Sequence, residues 1–168
     1  MNLPPYDTFP ELAAEGLLLR RVQTEDLPAL LDIMFYDGQP ALTLDNALTM
    51  QAQIDRDYQN GDSVHWGISD RQTGVVMGTV GYYRGFPQQR GELGCVLLPE
   101  FRGRGVMTRA IRLAADFGLC DMGLRHVIAI TTKENEAAIR LLERLNFTKT
   151  AEYDGNKIEF RLPDRQIL

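Results

Sequence analysis

Short stretches of alternating hydrophobic and polar residues, or of continuous apolar residues, recur along the chain and predict strands. The predicted strands cover residues 17–22, 64–69, 75–83, 92–98, 126–131, 147–153 and 157–162. Asp154-Gly155-Asn156 separates the last two stretches and is a strong hairpin signal. A turn at residues 70–74 joins the second and third stretches in the same way. Much of the chain is therefore expected to form a sheet.

Longer stretches repeat hydrophobic residues every three to four positions, which predicts helices. Thr24-Glu25-Asp26 caps the first helix, which continues to Met34. The second covers residues 44–58, the third begins at residue 106 and the fourth follows residue 135. We predict an α/β fold in which one mixed sheet carries helices on both faces. Residues 1–168 are expected to form one domain, with residues 1–15 as an N-terminal extension.

A glycine-rich turn followed by a helix comes directly after the fourth predicted strand. Pro99 cannot continue a central strand, and Gly103 and Gly105 let the backbone turn tightly with its amide hydrogens exposed. Phosphate oxygens are favoured there by the helix N-terminus and by the charges of Arg102 and Arg104. Gly-x-Gly before a helix also occurs as ordinary turn chemistry. This pattern alone leaves both interpretations open.

A second strand, polar loop and helix occupy residues 126–147. The turn from Arg102 to Gly105, paired with an Asn-x-x-Ala helix start at Asn135 one βαβ unit later, closely resembles the Gcn5-related N-acetyltransferase superfamily. The stretch from Gly91 to Glu100 is similar to the branch of ribosomal-protein N-terminal acetyltransferases, whose strand commonly reads Glu-Ile-Gly-Tyr before a similar Pro-Glu. The resemblance covers residues 17–162 and is most specific between residues 92 and 147.

The resemblance implies a mostly antiparallel sheet, splayed at its centre, with acetyl-coenzyme A across the gap between strands 92–98 and 126–131. The backbone of Val96, Leu97 and Leu98 would pair with the pantetheine arm as an added strand does. Asn135 would bind the same arm, or serve only as a helix cap, and Arg140 would lie near the nucleotide. The implied pyrophosphate site is Arg102, Gly103, Arg104, Gly105, Val106 and Met107.

Four positions depart from the family pattern. Met107 stands where a small residue usually ends the phosphate turn, and Asn146 replaces a glycine, which is tolerable because asparagine also enters left-handed conformations. Leu142 falls where the family often has a tyrosine general acid, and Ala138 falls where the ribosomal-protein branch has a serine. Neither side chain can donate a proton. The general acid is therefore unassigned.

Acetyl transfer needs a neutral amine, a polarised carbonyl and a route for the released proton. Glu92 matches an acidic residue of the family and could remove a proton through an ordered water, while the alternative is a carboxylate paired with Arg90 or solvent. A backbone amide near Leu97 would polarise the carbonyl. An α-amino group has a pKa of about 7.7–8.0, against roughly 10.4 for lysine, so a weak base favours an N-terminal acceptor.

Other candidate residues have ordinary explanations. His65 and His126 lie in predicted strands, where a lone histidine is more often structural than catalytic. Tyr82 and Tyr83 either line the acceptor pocket or pack in the core. The acidic loop at residues 36–38 could meet a cationic substrate.

Composition adds constraints on partners. The net charge of −5 disfavours nucleic acid and leaves amines as easier partners. We expect Cys95 and Cys120 to be reduced and mostly buried, with no metal site. The chain has no apolar run long enough to cross a membrane and no signal peptide, so we expect a cytoplasmic protein without a membrane partner. The state could be monomer or homodimer.

The leading hypothesis is an acetyl-coenzyme A-dependent N-acetyltransferase that acts on a protein N-terminus or a small amine by direct attack in a ternary complex. The alternative is a coenzyme A-binding module without activity, which Met107, Ala138 and Leu142 suggest. A different nucleotide-phosphate binder is disfavoured, because the Lys-Ser/Thr pair of a P-loop does not follow Gly105.

Overall fold

The structure is a computed structural model that describes residues 1–163. The expected domain extends to residue 168, so its last five residues lie outside the described part. The strands are β1 (Leu12–Ala14), β2 (Leu17–Arg21), β3 (Phe35–Tyr36), β4 (Gln39–Pro40), β5 (Val64–Asp70), β6 (Val76–Tyr83), β7 (Arg90–Leu97), β8 (His126–Thr132), β9 (Thr148–Tyr153) and β10 (Lys157–Arg161). The α-helices are α1 (Leu27–Leu30), α2 (Leu44–Gln59), α3 (Val106–Cys120) and α4 (Glu136–Arg144).

Eight strands form one sheet in the order β1-β2-β5-β6-β7-β8-β10-β9. Every neighbouring pair is antiparallel except β7 and β8, which run parallel. The β7–β8 pairing joins only Arg90–Glu92 to His126–Ile128, and the two strands then separate. The prediction of a mixed, mostly antiparallel sheet that is splayed at its centre is confirmed.

Helices cover both faces of this sheet, as predicted. The core on one face contains residues of α3 and α4 together with the fully buried Trp66 and Tyr82, and the Tyr82 hydroxyl donates to Ala114 O at 2.9 Å. The core on the other face joins α1 and α2 to Val76 and Leu98. The sheet therefore separates two packed layers, and the gap between β7 and β8 passes through it.

The prediction of one continuous first helix is wrong. Residues 24–33 instead form a 3-10 turn, the single turn α1 and a second 3-10 turn, after which Met34 is extended. The Asp26 carboxylate accepts from Gln23 N at 2.8 Å and from the Arg20 guanidinium at 2.7 and 3.0 Å. These bonds hold the Asp26 side chain against the preceding backbone and Arg20, so they favour a tight turn over the regular first turn of a helix.

Within the predicted N-terminal extension, residues 12–14 form the edge strand β1 on β2. The remaining predicted strands and helices are confirmed, with ends that shift by three residues or fewer. Among residues 1–163, no helix is long and apolar enough to cross a membrane.

Candidate active site at the splayed strands

The turn between β7 and α3 has an anion-binding geometry. Gly103 and Gly105 have φ values of +75° and +69°, which side chains rarely adopt, and a Cβ added to either would meet nothing within 4 Å. α3 begins at Val106, so its first amides have no partner inside the helix. Backbone donors, the positive end of the helix dipole and open space thus meet at one place, which suits a phosphate group.

A groove of about 460 Å³ runs from this turn to α4 and is called the cofactor groove. Three guanidinium groups line it, those of Arg102, Arg140 and Arg144. Arg104 is not in its wall and instead lies over the Phe101 ring, 6.0 Å from the ring centroid. The predicted residues in the wall are Val96, Leu97, Arg102, Gly103, Gly105, Val106, Met107 and Arg140. The sequence reasoning missed Arg144, although it lies one helical turn beyond Arg140.

The groove arginines differ in how firmly they are held. Arg102 Nε donates to Leu97 O at 3.1 Å, which fixes that side chain to the end of β7. Arg140 forms an exposed ion pair with Glu136 at 2.9 Å, one turn apart on α4. Exposed pairs of this kind contribute only about 0.3–0.5 kcal/mol. Arg140 can therefore exchange its carboxylate for a phosphate at little cost.

The backbone of β7 presents different residues to the open edge than the sequence suggested. Leu98 N donates to Met77 O at 2.9 Å, on the β6 side. Backbone groups of successive residues in a strand point to opposite edges, so Val96 also faces β6, whereas Cys95 and Leu97 face the edge from which β8 diverges. Leu98 lies outside the groove wall, with its amide already bonded. We therefore replace Val96 and Leu98 by Cys95 as backbone candidates.

The gap between β7 and β8 contains a cavity of about 220 Å³, called the splay cavity. Asn135 lies in its wall and caps α4, since its Oδ1 accepts from Ala138 N at 3.2 Å. The Asn135 side-chain amide hydrogens are not used by this cap. Ala138 and Leu142 also line the cavity, so the two positions without a proton donor do face the gap.

On the opposite side of β7, a cavity of about 610 Å³ opens between α2 and the sheet and is called the outer cavity. Among residues 1–163, four carboxylates and one guanidinium lie in its wall, those of Asp37, Asp57, Asp62, Glu92 and Arg84. The Tyr36 hydroxyl donates to Asp57 Oδ2 at 2.9 Å. The acidic loop at residues 36–38, which the sequence analysis suggested could meet a cationic substrate, thus lines this cavity.

Glu92 forms an ion pair with Arg84, with Nη1 2.7 Å from Oε1, rather than with Arg90. Arg90 instead binds Glu159 at 2.7 Å. Burial raises the pKa of Glu159, but hydrogen bonds from Tyr153 and other donors outweigh burial, and the pKa falls below its ordinary value. Arg90 is therefore already paired with Glu159, and Glu92 pairs with Arg84 in the wall of the outer cavity.

A smaller cavity of about 260 Å³ adjoins the outer cavity and is called the inner cavity. His65 and Tyr83 lie in its wall, and burial lowers the pKa of His65 to about 4 while it raises the pKa of Tyr83. Tyr82, by contrast, is a core residue. The sequence favoured a structural role for His65, and the structure places its ring in the wall of the inner cavity.

The expectation of two buried thiols is wrong, because Cys95 and Cys120 are both exposed. Cys120 is the last residue of α3. Cys95 is uncovered because β8 leaves β7 beyond Glu92. The surrounding walls still desolvate the Cys95 thiol and raise its pKa to about 11.

A comparison with protein families identifies this architecture. The model of the acetyltransferase (GNAT) domain matches residues 16–148. The chain belongs to the GNAT acetyltransferase family. The matched range includes the phosphate turn, both strands of the splay and α4.

Individual relatives agree with this membership in the GNAT family. The uncharacterised N-acetyltransferase YoaA of Bacillus subtilis is 27% identical over 149 residues, which are 84% of either chain. Spermidine N(1)-acetyltransferase of Escherichia coli is 38% identical over 64 residues, which are 38% of this chain and 34% of the relative. The structure of a putative ribosomal-protein-serine acetyltransferase from Vibrio cholerae has a TM-score of 0.76 at 17% identity and covers 91% of this chain and 97% of its own. That structural likeness concerns the fold. The protein is an N-acetyltransferase, and its GNAT family uses acetyl-coenzyme A as co-substrate.

Proposed function

We propose that this protein transfers the acetyl group of acetyl-coenzyme A directly to a primary amine while both substrates are bound. The main support is the position of Gly94 and Cys95 on β7. Cys95 lines the cofactor groove, the splay cavity and the inner cavity, and Gly94 lines the splay, inner and outer cavities. A ligand in the groove and a ligand on the acceptor side can therefore meet at these two residues.

The groove fits the charge and shape of a coenzyme A molecule. The amides at the start of α3 and the side chain of Arg102 would hold the pyrophosphate, and Arg140 and Arg144 would lie near the nucleotide. The open-edge amides of Cys95 and Leu97 would bind the pantetheine arm and polarise the carbonyl, and Asn135 would add its side-chain amide. Bound acetyl-coenzyme A supplies the acetyl group as a thioester.

Proton movement is assigned to Glu92 on the acceptor side. Its Oε2 is free of the Arg84 bond and would accept the amine proton through a water in the outer cavity. Ala138 and Leu142 offer no acid, so the leaving sulfur would take its proton from solvent. This is feasible because an ordinary thiol has a pKa of about 8.5 and leaves readily as thiolate.

Direct transfer is favoured over an acyl-enzyme at Cys95. A pKa of about 11 leaves very little thiolate at neutral pH, and the thiolate is the reactive form. In the net reaction the ammonium nitrogen gains the acetyl group and loses two protons, of which one ends on the sulfur of coenzyme A and the other passes through Glu92 to solvent.

The acceptor is proposed to be a positively charged primary amine, either a small amine or a protein N-terminus. Four carboxylates against one guanidinium in the outer cavity attract a cation as it approaches. The Escherichia coli relative is named for spermidine, which is a cationic amine, and the Vibrio cholerae structure is titled for a ribosomal-protein acceptor. Both kinds of acceptor present an ammonium group.

Thermal unfolding and an acetylation assay test this proposal together. Coenzyme A and acetyl-coenzyme A should stabilise the protein, by about 2.7 kcal/mol at one hundred times the dissociation constant, while ATP and NAD should not. Thiol release should then require an amine from a panel of polyamines, lysine and N-terminal peptides, with the product checked by mass spectrometry. Stabilisation without acetylation of any amine would favour the binding module, and no stabilisation would refute the cofactor site.

A further inference from the structure

The inner cavity is lined mainly by apolar side chains and is closed on one side by the sheet. Its volume of about 260 Å³ is far above the roughly 10–15 Å³ that one water requires, and slightly below the range of whole-ligand pockets. It therefore has the size to hold one part of a ligand, such as an aryl or branched alkyl group. The apolar residues are Val22, Leu30, Ile33, Met34, Phe35, Ile54 and Val96.

The aromatic rings of His65 and Tyr83 form the floor of the cavity, and each ring lies against a glycine. His65, Gly81 and Gly94 are opposite one another on β5, β6 and β7. A Cβ added to Gly81 would lie 3.1 Å from His65 Cδ2, and one added to Gly94 would lie 2.8 Å from Tyr83 Cε2. The two ring centroids are 5.6 Å apart. The ring planes are tilted by 54° to each other, so the glycines make room for an aromatic floor against which another ring can pack.

Two residues of the wall each carry a polar atom that is buried without a hydrogen-bond partner among residues 1–163, Gln51 Oε1 and His65 Nδ1. The orientation of the Gln51 amide is fixed by its neighbour, because its Nε2 donates to Asp55 Oδ1 at 3.3 Å. An ionised carboxylate can only accept, so Gln51 Oε1 must point elsewhere. Asp55 is itself held by Arg21 at 3.1 Å. Gln51 therefore contributes a preset acceptor to a mainly apolar wall that also contains His65, Thr79 and Tyr83.

We infer that the inner cavity is the specificity pocket for the acceptor amine and selects an apolar, aryl-sized group that ends in a hydrogen-bond donor such as a hydroxyl. The inference rests on the proposed function, because the pocket ends at Gly94 and Cys95, where the amine would meet the acetyl group. Gln51 Oε1 accepts from the donor, and the apolar wall excludes more polar groups. Leaving such a buried acceptor unpaired costs about 2 kcal/mol, so a ligand without the donor binds about thirtyfold more weakly.

Tyramine and 4-methylphenethylamine test this selection, because the second replaces the hydroxyl by a methyl group of similar size. Each amine is titrated calorimetrically into the protein saturated with coenzyme A, so the measurement requires no turnover. We expect tyramine to bind at least tenfold more tightly to the unchanged protein. Gln51→Met, which keeps the side-chain length but removes the acceptor, should abolish this difference. Gln59→Met, on the exposed end of the same helix, should keep it.

Equal affinity for the two amines, a preference for the methyl compound, or binding of neither amine would overturn the inference. These comparisons use the unchanged protein, so they decide the question even where Gln51→Met does not fold. Failure of the proposed function has a different signature, since binding would then show the selectivity while no amine of any kind became acetylated.

Discussion

The Arg84 guanidinium holds only one oxygen of the Glu92 carboxylate, with Nη1 2.7 Å from Oε1. The side chain of Arg84 is 68% exposed, while that of Glu92 is 22% exposed. Because solvent screens such a pair, it positions the carboxylate at the outer cavity without binding it tightly. A carboxylate held by one oxygen can still accept a proton on the other.

Glu92→Gln should lower kcat about a hundredfold, because general-base catalysis typically contributes 10²–10⁴-fold. The stabilisation of the protein by coenzyme A should stay unchanged, since Glu92 is not in the cofactor groove. Glu100→Gln removes an exposed carboxylate nearby in sequence and serves as the control. Steady-state kinetics that show the same kcat for Glu92→Gln and the unchanged enzyme would eliminate Glu92 as the base.

Gly105→Glu should abolish stabilisation by coenzyme A, because it places bulk and negative charge at the N-terminus of α3. The substitution also strains a backbone with φ of +69°. Gly123→Glu reproduces that strain beyond the other end of the same helix, where φ is +74° and the nearest atom to an added Cβ is 3.7 Å away. Thermal shifts of both variants separate the two effects. An intact ligand shift in Gly105→Glu would refute the phosphate turn.

Asn135→Ala should lower the free energy of unfolding by about 1 kcal/mol, because it removes the cap of α4. Asn135→Asp keeps an oxygen that accepts from Ala138 N but loses the side-chain amide donor. We therefore expect Asn135→Asp to retain stability and yet to bind coenzyme A more weakly, as Asn135→Ala also does. Denaturant unfolding and calorimetric titration measure the two properties. Unchanged affinity of Asn135→Asp for coenzyme A would show that Asn135 serves only as the cap of α4.

The stability of the protein should fall as the pH falls from about 6.5 to about 4. Burial lowers the pKa of His65 to about 4, so the unfolded chain takes up a proton before the folded one does. Protonation of His65 in the unfolded chain therefore lowers the free energy of unfolding over this window, by at most about 1.4 kcal/mol per pH unit. Urea unfolding at several pH values should show a smaller slope in His65→Gln than in the unchanged protein. Equal slopes in the two proteins would contradict a neutral His65 in the folded state.

Local chemistry explains why much of this enzyme could be predicted from its sequence. The turn at Gly103 and Gly105, the cap at Asn135 and the alternation within strands depend on residues that are close along the chain. The exposure of Cys95 could not be predicted, because it depends on where β8 leaves β7. Gln51 and the floor of the inner cavity belong to different elements, so only the packing of α2 on the sheet brings them together.

Within the described residues, β7 and β8 are joined by three residue pairs. This short ladder connects the larger block of strands, β1, β2, β5, β6 and β7, to the smaller block, β8, β9 and β10. Because this connection is short, we expect the amide hydrogens of β8, β9 and β10 to exchange with solvent ahead of those in the larger block. In the proposed binding mode, acetyl-coenzyme A would bond to the open edge of β7 and so lengthen the connection. We therefore expect the bound acetyl donor to slow exchange in these C-terminal strands.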